Sequence, residues 1–130
     1  MAEMHPDAQV VMAGFQAFAM GDMDTMKSIL ADDAVWHTPG RNRFSGDYHG
    51  PDEIVAVFQE LQAAARIDNR PHAMLADDDH VVVLIEATFE GDGKTLEATS
   101  VFVFHVDDGK VTEVWVASPE QHQIDEFWGP

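Results

Sequence analysis

The chain has no cysteine, so disulfide cross-links and thiolate metal sites are excluded from the start. Cations are scarce. Only 7 Lys and Arg stand against 24 Asp and Glu, for a formal net charge of -17. Such a field repels nucleic acid and anionic membrane surfaces at long range, so neither is expected as a partner. No window approaches the ~18 consecutive apolar residues of a membrane span. The opening MAEMHPDAQVV carries no basic segment followed by an apolar run, which argues against a signal peptide and for a cytoplasmic protein. GxGxxG and GxSxG patterns are absent. The seven histidines fall in no HxH or HxxxH spacing: His122 stands apart beside Glu120, and His5 lies near the start. Neither a metal nor a cofactor is expected.

The 130 residues are enough for one domain (1–130), which at this size buries roughly two-thirds of its unfolded surface without staples. Residues 7–20 place Val10, Val11, Phe15, Phe18 and Ala19 near helical spacing. Gly21 ends this helix and Asp22 caps a second one, which runs to about Leu30. Ala34–Thr38 reads as a short strand leading into a loop. Pro51, followed by Asp52 and Glu53, opens a third helix that ends near Arg66. The rest is mainly strand: His72–Ala76, His80–Glu90, Leu96–Val106 and Val111–Ala117. Turns at Asp77–Asp79, Gly91–Lys94 and Asp107–Lys110 separate them, and Glu120–Trp128 reads as a short closing helix. Helices first and strands after predict an α+β fold with an antiparallel meander. The strands are nearly continuous apolar runs, so both sheet faces need cover. The helices cover one. A second copy of the chain is the simplest cover for the other, which predicts a homodimer through the sheet face.

The richest segment is Leu30–Ile54. It holds Trp36, His37, Thr38, the loop residues Pro39 and Gly40, Arg41 and Arg43, the sole tyrosine Tyr48, His49 and Gly50. Rigid backbone positions alternating with aromatic and ionisable groups are typical of loops that carry function.

The order of elements, together with Gly21-Asp22, LADDAVWHTPG (30–40), GDYHGPDEI (46–54), DDGKVTEVW (107–115) and EQHQIDEFW (120–128), resembles the nuclear transport factor 2-like superfamily. The likeness runs over essentially the whole chain and is nearest to the SnoaL-like and ketosteroid-isomerase-like branch, a group largely without assigned activity. It implies a cone-shaped α+β barrel. Three N-terminal helices would pack on a strongly curved, mostly antiparallel sheet, with a short C-terminal helix and a deep apolar pocket.

The resemblance also implies what is missing. Where the steroid-isomerase pattern has a general-base Asp before the proline of the first strand, this chain has Thr38 before Pro39. A hydroxyl is far too weak an acid to replace that carboxylate. The first-helix Tyr position falls at Gly14, beside Phe15, and the second oxyanion donor falls near Val101–Phe102. The polyketide-cyclase acid, expected directly after the last-strand tryptophan, is Val116 after Trp115, although His105 lies on the preceding strand. The Asp–Arg–Asp arrangement of epoxide hydrolases has no counterpart among Glu86, Glu97, Arg41 and Arg43.

By the family's strand parity, Trp36, Thr38, Phe102, Phe104, Val114 and Val116 face the pocket. Phe15, Phe18 and Phe58 join them from the helices, and Trp128 with Phe127 caps the cone. Trp115 falls on the opposite face, where it would serve the dimer. The expected ligand is a hydrophobic small molecule, such as a carbonyl or polyketide-like compound. Two functional readings stand. In the first, a cofactor-independent isomerase, cyclase or lyase uses His37 as acid/base, with Tyr48 and Arg41 as orienting or oxyanion-stabilising donors. In the second, the protein is a non-catalytic ligand-binding or dimeric assembly module, as the loss of every recognised catalytic carboxylate suggests.

Overall fold

A computed structural model describes residues 4–130. The chain runs α1 (Pro6–Met20), α2 (Met23–Ile29), β1 (Leu30–Thr38), β2 (Gly46–His49), α3 (Gly50–Ala64), β3 (Arg66–Ala76), β4 (His80–Gly91), β5 (Lys94–Asp107), β6 (Lys110–Ala117) and α4 (Gln121–Trp128). Six strands form one sheet in the order β2-β1-β6-β5-β4-β3. Every pairing is antiparallel except β1 with β6. The expected α+β architecture is present. Its sheet has two free edges, β2 and β3, and so is not a closed barrel.

The local signals act as their chemistry dictates. Gly21 takes φ +69 at the end of α1, and the Asp22 carboxylate accepts from the backbone N–H of Thr25 at 3.2 Å. Both meander turns place an Asp-Gly pair at positive φ: Asp92 and Gly93 at +52 and +74, Asp108 and Gly109 at +52 and +74. That geometry suits the twist of the flanking strands and sets the β4–β5 and β5–β6 registers.

Three boundaries differ from the sequence expectations. The strand expected from Ala34 begins at Leu30, because the irregular stretch between Leu30 and Val35 still runs beside β6. The loop after Thr38 returns as a further strand, β2, whose Tyr48 pairs with Trp36. The strand expected at His72–Ala76 extends back to Arg66, and α3 stops at Ala64. Polar Arg66, Asp68 and Arg70 alternate there with Ile67 and Asn69, a two-residue period that charge and Pro71 obscure in the sequence. Pro71 is tolerated because β3 is an edge strand and its register shifts between Pro71 and Ala73.

The helices pack on one sheet face. Ile54 on α3, Val11 on α1 and Val81, Val83 and Ile85 on β4 are at most 2% exposed. Ile54 has no exposed surface, so Ile54→Ala removes buried methylenes and leaves a void. We expect a loss of about 2–5 kcal/mol, read as a lower denaturation midpoint at unchanged m-value. A loss below 0.5 kcal/mol would show that α3 is not anchored there.

Candidate functional site

Between the helices and the inner sheet face lies a cavity of about 170 Å³. Its walls are aromatic. Trp36 stands edge-on to Phe58 with centroids 4.8 Å apart, and Phe102 and Phe104 lie 6.0 and 6.1 Å from Trp36. Phe15 meets Phe102 at 5.7 Å, and Phe18 meets Phe58 at 5.4 Å. Thr38, Val116 and Trp128 also line the space. These nine residues, five from strands and four from helices, line the cavity. Val114 does not reach the cavity: it faces inward but is 1% exposed and packed within the core.

One end of the cavity is closed by α4 and by the loop after β1. Phe44 of that loop, 6% exposed, meets the Trp128 ring edge-on at 4.9 Å. The Asp125 carboxylate holds the two segments together. It accepts from Asn42 Nδ2 at 2.8 Å and Gln121 Nε2 at 2.9 Å. Those donors, Asn42 first, hold the Asp125 carboxyl below the usual carboxylate range. Gly40 makes the fit possible. A Cβ there would lie 2.2 Å from Gln121 Nε2 and 2.3 Å from Asp125 Oδ1, and its φ of +93 disfavours any side chain. The Arg43 backbone N–H adds a bond to the Gly129 carbonyl at 2.9 Å.

His37, Tyr48 and Arg41 do not converge. His37 follows Trp36 on the strand and therefore points to the outer sheet face. Its Nδ1 lies 2.7 Å from Asp47 Oδ1 and its Nε2 lies 2.6 Å from Glu113 Oε2. Carboxylates only accept, so satisfying both contacts needs both ring nitrogens protonated. The Glu113 carboxylate, followed by that of Asp47, raises the His37 pKa above its ordinary value. The imidazolium also stacks on Trp115, with centroids 5.9 Å apart and planes at 19°. Tyr48 faces inward, but its hydroxyl donates to the Phe44 carbonyl at 2.6 Å, and burial raises its pKa. It braces the loop instead of opening on the cavity. The Arg41 side chain is exposed and outside the lining.

Sequence reasoning missed Phe44, Asn69 and Ser100, all of which line the cavity. Ser100 shares the parity of Phe102 and Phe104, and Asn69 that of Ile67, so the strand period carried the signal. Among the described residues, no three His, Asp or Glu side chains group as metal ligands.

Residues 11–114 match the model of the SnoaL-like domain, so the chain belongs to that family. Among solved structures it is similar to Bal32a from a soil-derived mobile gene cassette, at 32% identity and TM-score 0.85, covering 95% of this chain and 97% of that one. A protein of unknown function with a cystatin-like fold from Xanthomonas campestris is 29% identical at TM-score 0.85, covering 95% and 98%. An uncharacterized protein of Mycobacterium tuberculosis is 26% identical over 127 residues, 94% of this chain and 95% of its own.

The His37 clamp has a defined pH signature. A folded-state pKa above the unfolded value, ~6.5, gives stabilisation that is complete below that value and is lost as pH rises through the folded pKa. The His37 ring is expected to titrate above ~6.5 by NMR, and Glu113→Gln should move the midpoint down. A wild-type midpoint at or below the ordinary value would contradict the clamp.

Proposed function

We propose that the protein binds a hydrophobic small molecule in the aromatic cavity, and that the cavity recognises its ligand without transferring protons. One observation carries this reading. The polar residues of the lining are Thr38, Asn42, Asn69, Ser100, Ser118 and Gln121, and none of the described lining residues is ionisable. General acid/base catalysis needs a titratable group within about 3 Å of the reacting atom or one water away. His37 lies on the far side of the sheet, and Thr38 stands where the resemblance puts a carboxylate base. An isomerase, cyclase or lyase reading has no proton carrier here. Binding needs only what is present: apolar walls, edge-on aromatic rings and a few neutral polar atoms.

The test uses toluene as the apolar probe, with Trp36 fluorescence and calorimetry as readouts. Wild type is expected to bind it, and Ala87→Leu, which adds volume at a buried wall residue, is expected to weaken binding at least tenfold. Circular dichroism and the thermal midpoint report whether the variant is folded. Unchanged toluene affinity in folded Ala87→Leu would remove the cavity as the site.

We further propose that a second copy of the chain covers the outer sheet face. Register puts Leu75, Val82, Val103, Trp115 and His37 in one row across five strands there, with Leu84 and Val101 beside it. Leu75 is 62% and Trp115 39% exposed. At net charge -17, most of the surface repels a like copy. Three of the carboxylates on this face have local cations: Asp47 and Glu113 share His37, and Asp68 holds Arg70 at 2.9 Å. An isologous contact buries the same patch twice. Light scattering at micromolar concentration should give twice the chain mass, and Trp115→Glu should give the monomer. A monomeric wild type would refute the proposal.

A further inference from the structure

We infer that the ligand is a neutral molecule of about one ring, carrying a hydroxyl or carbonyl oxygen that is read by Thr38 and Ser100. This rests on the binding role proposed above for the cavity and names the chemistry it selects.

Size is the first argument. Apolar protein cavities of roughly 150 Å³ take up a benzene-sized molecule. At about 170 Å³, this cavity admits a single ring with small substituents. A four-ring skeleton needs α4 or the loop after β1 to move.

Polarity is the second. The wall is mostly aromatic and aliphatic, with a few neutral polar side chains set into it from separate strands. Strand pairing aligns Trp36, Val114 and Phe104 in one row, and Val116 with Phe102 in the next. Thr38 ends β1 two residues beyond Trp36. Ser100, opposite Ile85, lies one row beyond Phe102, and Asn69, opposite Ala87, lies one further. Asn42, Ser118 and Gln121 also line the cavity, but their side chains are committed. Asn42 and Gln121 hold Asp125, and the Ser118 hydroxyl donates to the Thr99 carbonyl. Among the described residues, the side chains of Thr38, Asn69 and Ser100 hydrogen-bond no other protein group. Ser100 is the more telling, because at 7% exposure it is the sole buried polar residue of the described chain. No buried polar side-chain atom is sealed off without a partner. The Ser100 hydroxyl therefore opens on the cavity, and its partner must come from the cavity's contents.

Charge is the third. Thr38 and Ser100 each offer one donor and acceptor oxygen, and Asn69 offers an amide, but no cation is present to receive a carboxylate or phosphate. A desolvated anion would be unpaired there, inside a chain that is itself strongly negative. The selected ligand class is thus phenols, aromatic or alicyclic alcohols, and small cyclic ketones.

Three probes of one shape separate the possibilities: p-cresol, toluene and p-toluate. Toluene is the more hydrophobic, so a preference for p-cresol reports a hydrogen bond, not burial. Wild type at pH 7 is expected to bind p-cresol about tenfold or more tightly than toluene, the size of one well-made hydrogen bond, and to bind p-toluate at least tenfold more weakly than p-cresol. Thr38→Val with Ser100→Ala keeps the shape and removes both hydroxyls. That variant should still bind toluene and lose the p-cresol preference, while its thermal midpoint confirms folding. A preference that survives in the double variant, or p-toluate binding as tightly as p-cresol, overturns the inference while toluene binding leaves the apolar cavity intact as the site. Failure of all three probes on folded wild type overturns both.

Discussion

Successive side chains on a strand point to opposite faces of the sheet, and β1 applies this constraint where the chain concentrates its chemistry. Trp36 and Thr38 go inward to the cavity, and His37 goes outward between Asp47 and Glu113. The parallel β6 strand repeats the division, with Val114 and Val116 inside and Glu113 and Trp115 outside. One sheet thus separates an apolar, neutral interior from an outer face that carries ion pairs beside apolar side chains. A shift of one residue in β1 would put an imidazolium among phenylalanines and Trp36 in water. Losing the His37 contacts to Asp47 and Glu113 and the burial of Trp36 together disfavours that slip.

The separation needs a closed end to be useful. Where β1 stops, α4 and the loop after β1 close the space, joined through Asp125. That carboxylate accepts from one donor of the loop and one of the helix, and Gly40 supplies the backbone clearance. Because the folded-state pKa of Asp125 is lowered, this tie contributes above the ordinary aspartate range and weakens as pH falls through the lowered value. The ties at the outer face run the other way, since His37 holds its partners best when protonated. Closure of the cavity and the charge balance of the outer face therefore respond oppositely to pH, and the range between the two transitions is where both are intact.

Much of this was legible before any coordinates. Helix caps, Asp-Gly turns and the period of the strands are local, and local signals survive translation into structure. On the strands, alternation also places Trp36 and Thr38 on the inner face. The failures share a cause: a side chain's partner in space is not a property of its own segment. Tyr48 looked available because a backbone carbonyl leaves no mark in the sequence, yet the loop turns so that the Phe44 carbonyl, four residues back, takes its hydroxyl. His37 looked catalytic because it sits between two pocket residues, and that same alternation sends it to the other face. Ser100 and Asn69 were overlooked because short polar side chains in an apolar strand carry no signal until their neighbours are known. Arg66–Pro71 was not read as strand because an edge strand tolerates the charges and proline that argue against a central one.

Family membership leaves the activity open, since one scaffold supports many sites. The residues decide more. A protein that must move a proton has to place a titratable group in a dry cavity and tune it, and the fold offers inward positions for one at Thr38, Ser100 and Val116. This chain has neutral side chains at all three. It keeps many carboxylates elsewhere, so the acidic composition is not the limit; the cavity is the one region from which charge is withheld. Withholding it lowers the cost of desolvating an empty apolar space and removes the attraction for ions. What is left on the cavity wall is an apolar shape with a few neutral oxygen and amide groups.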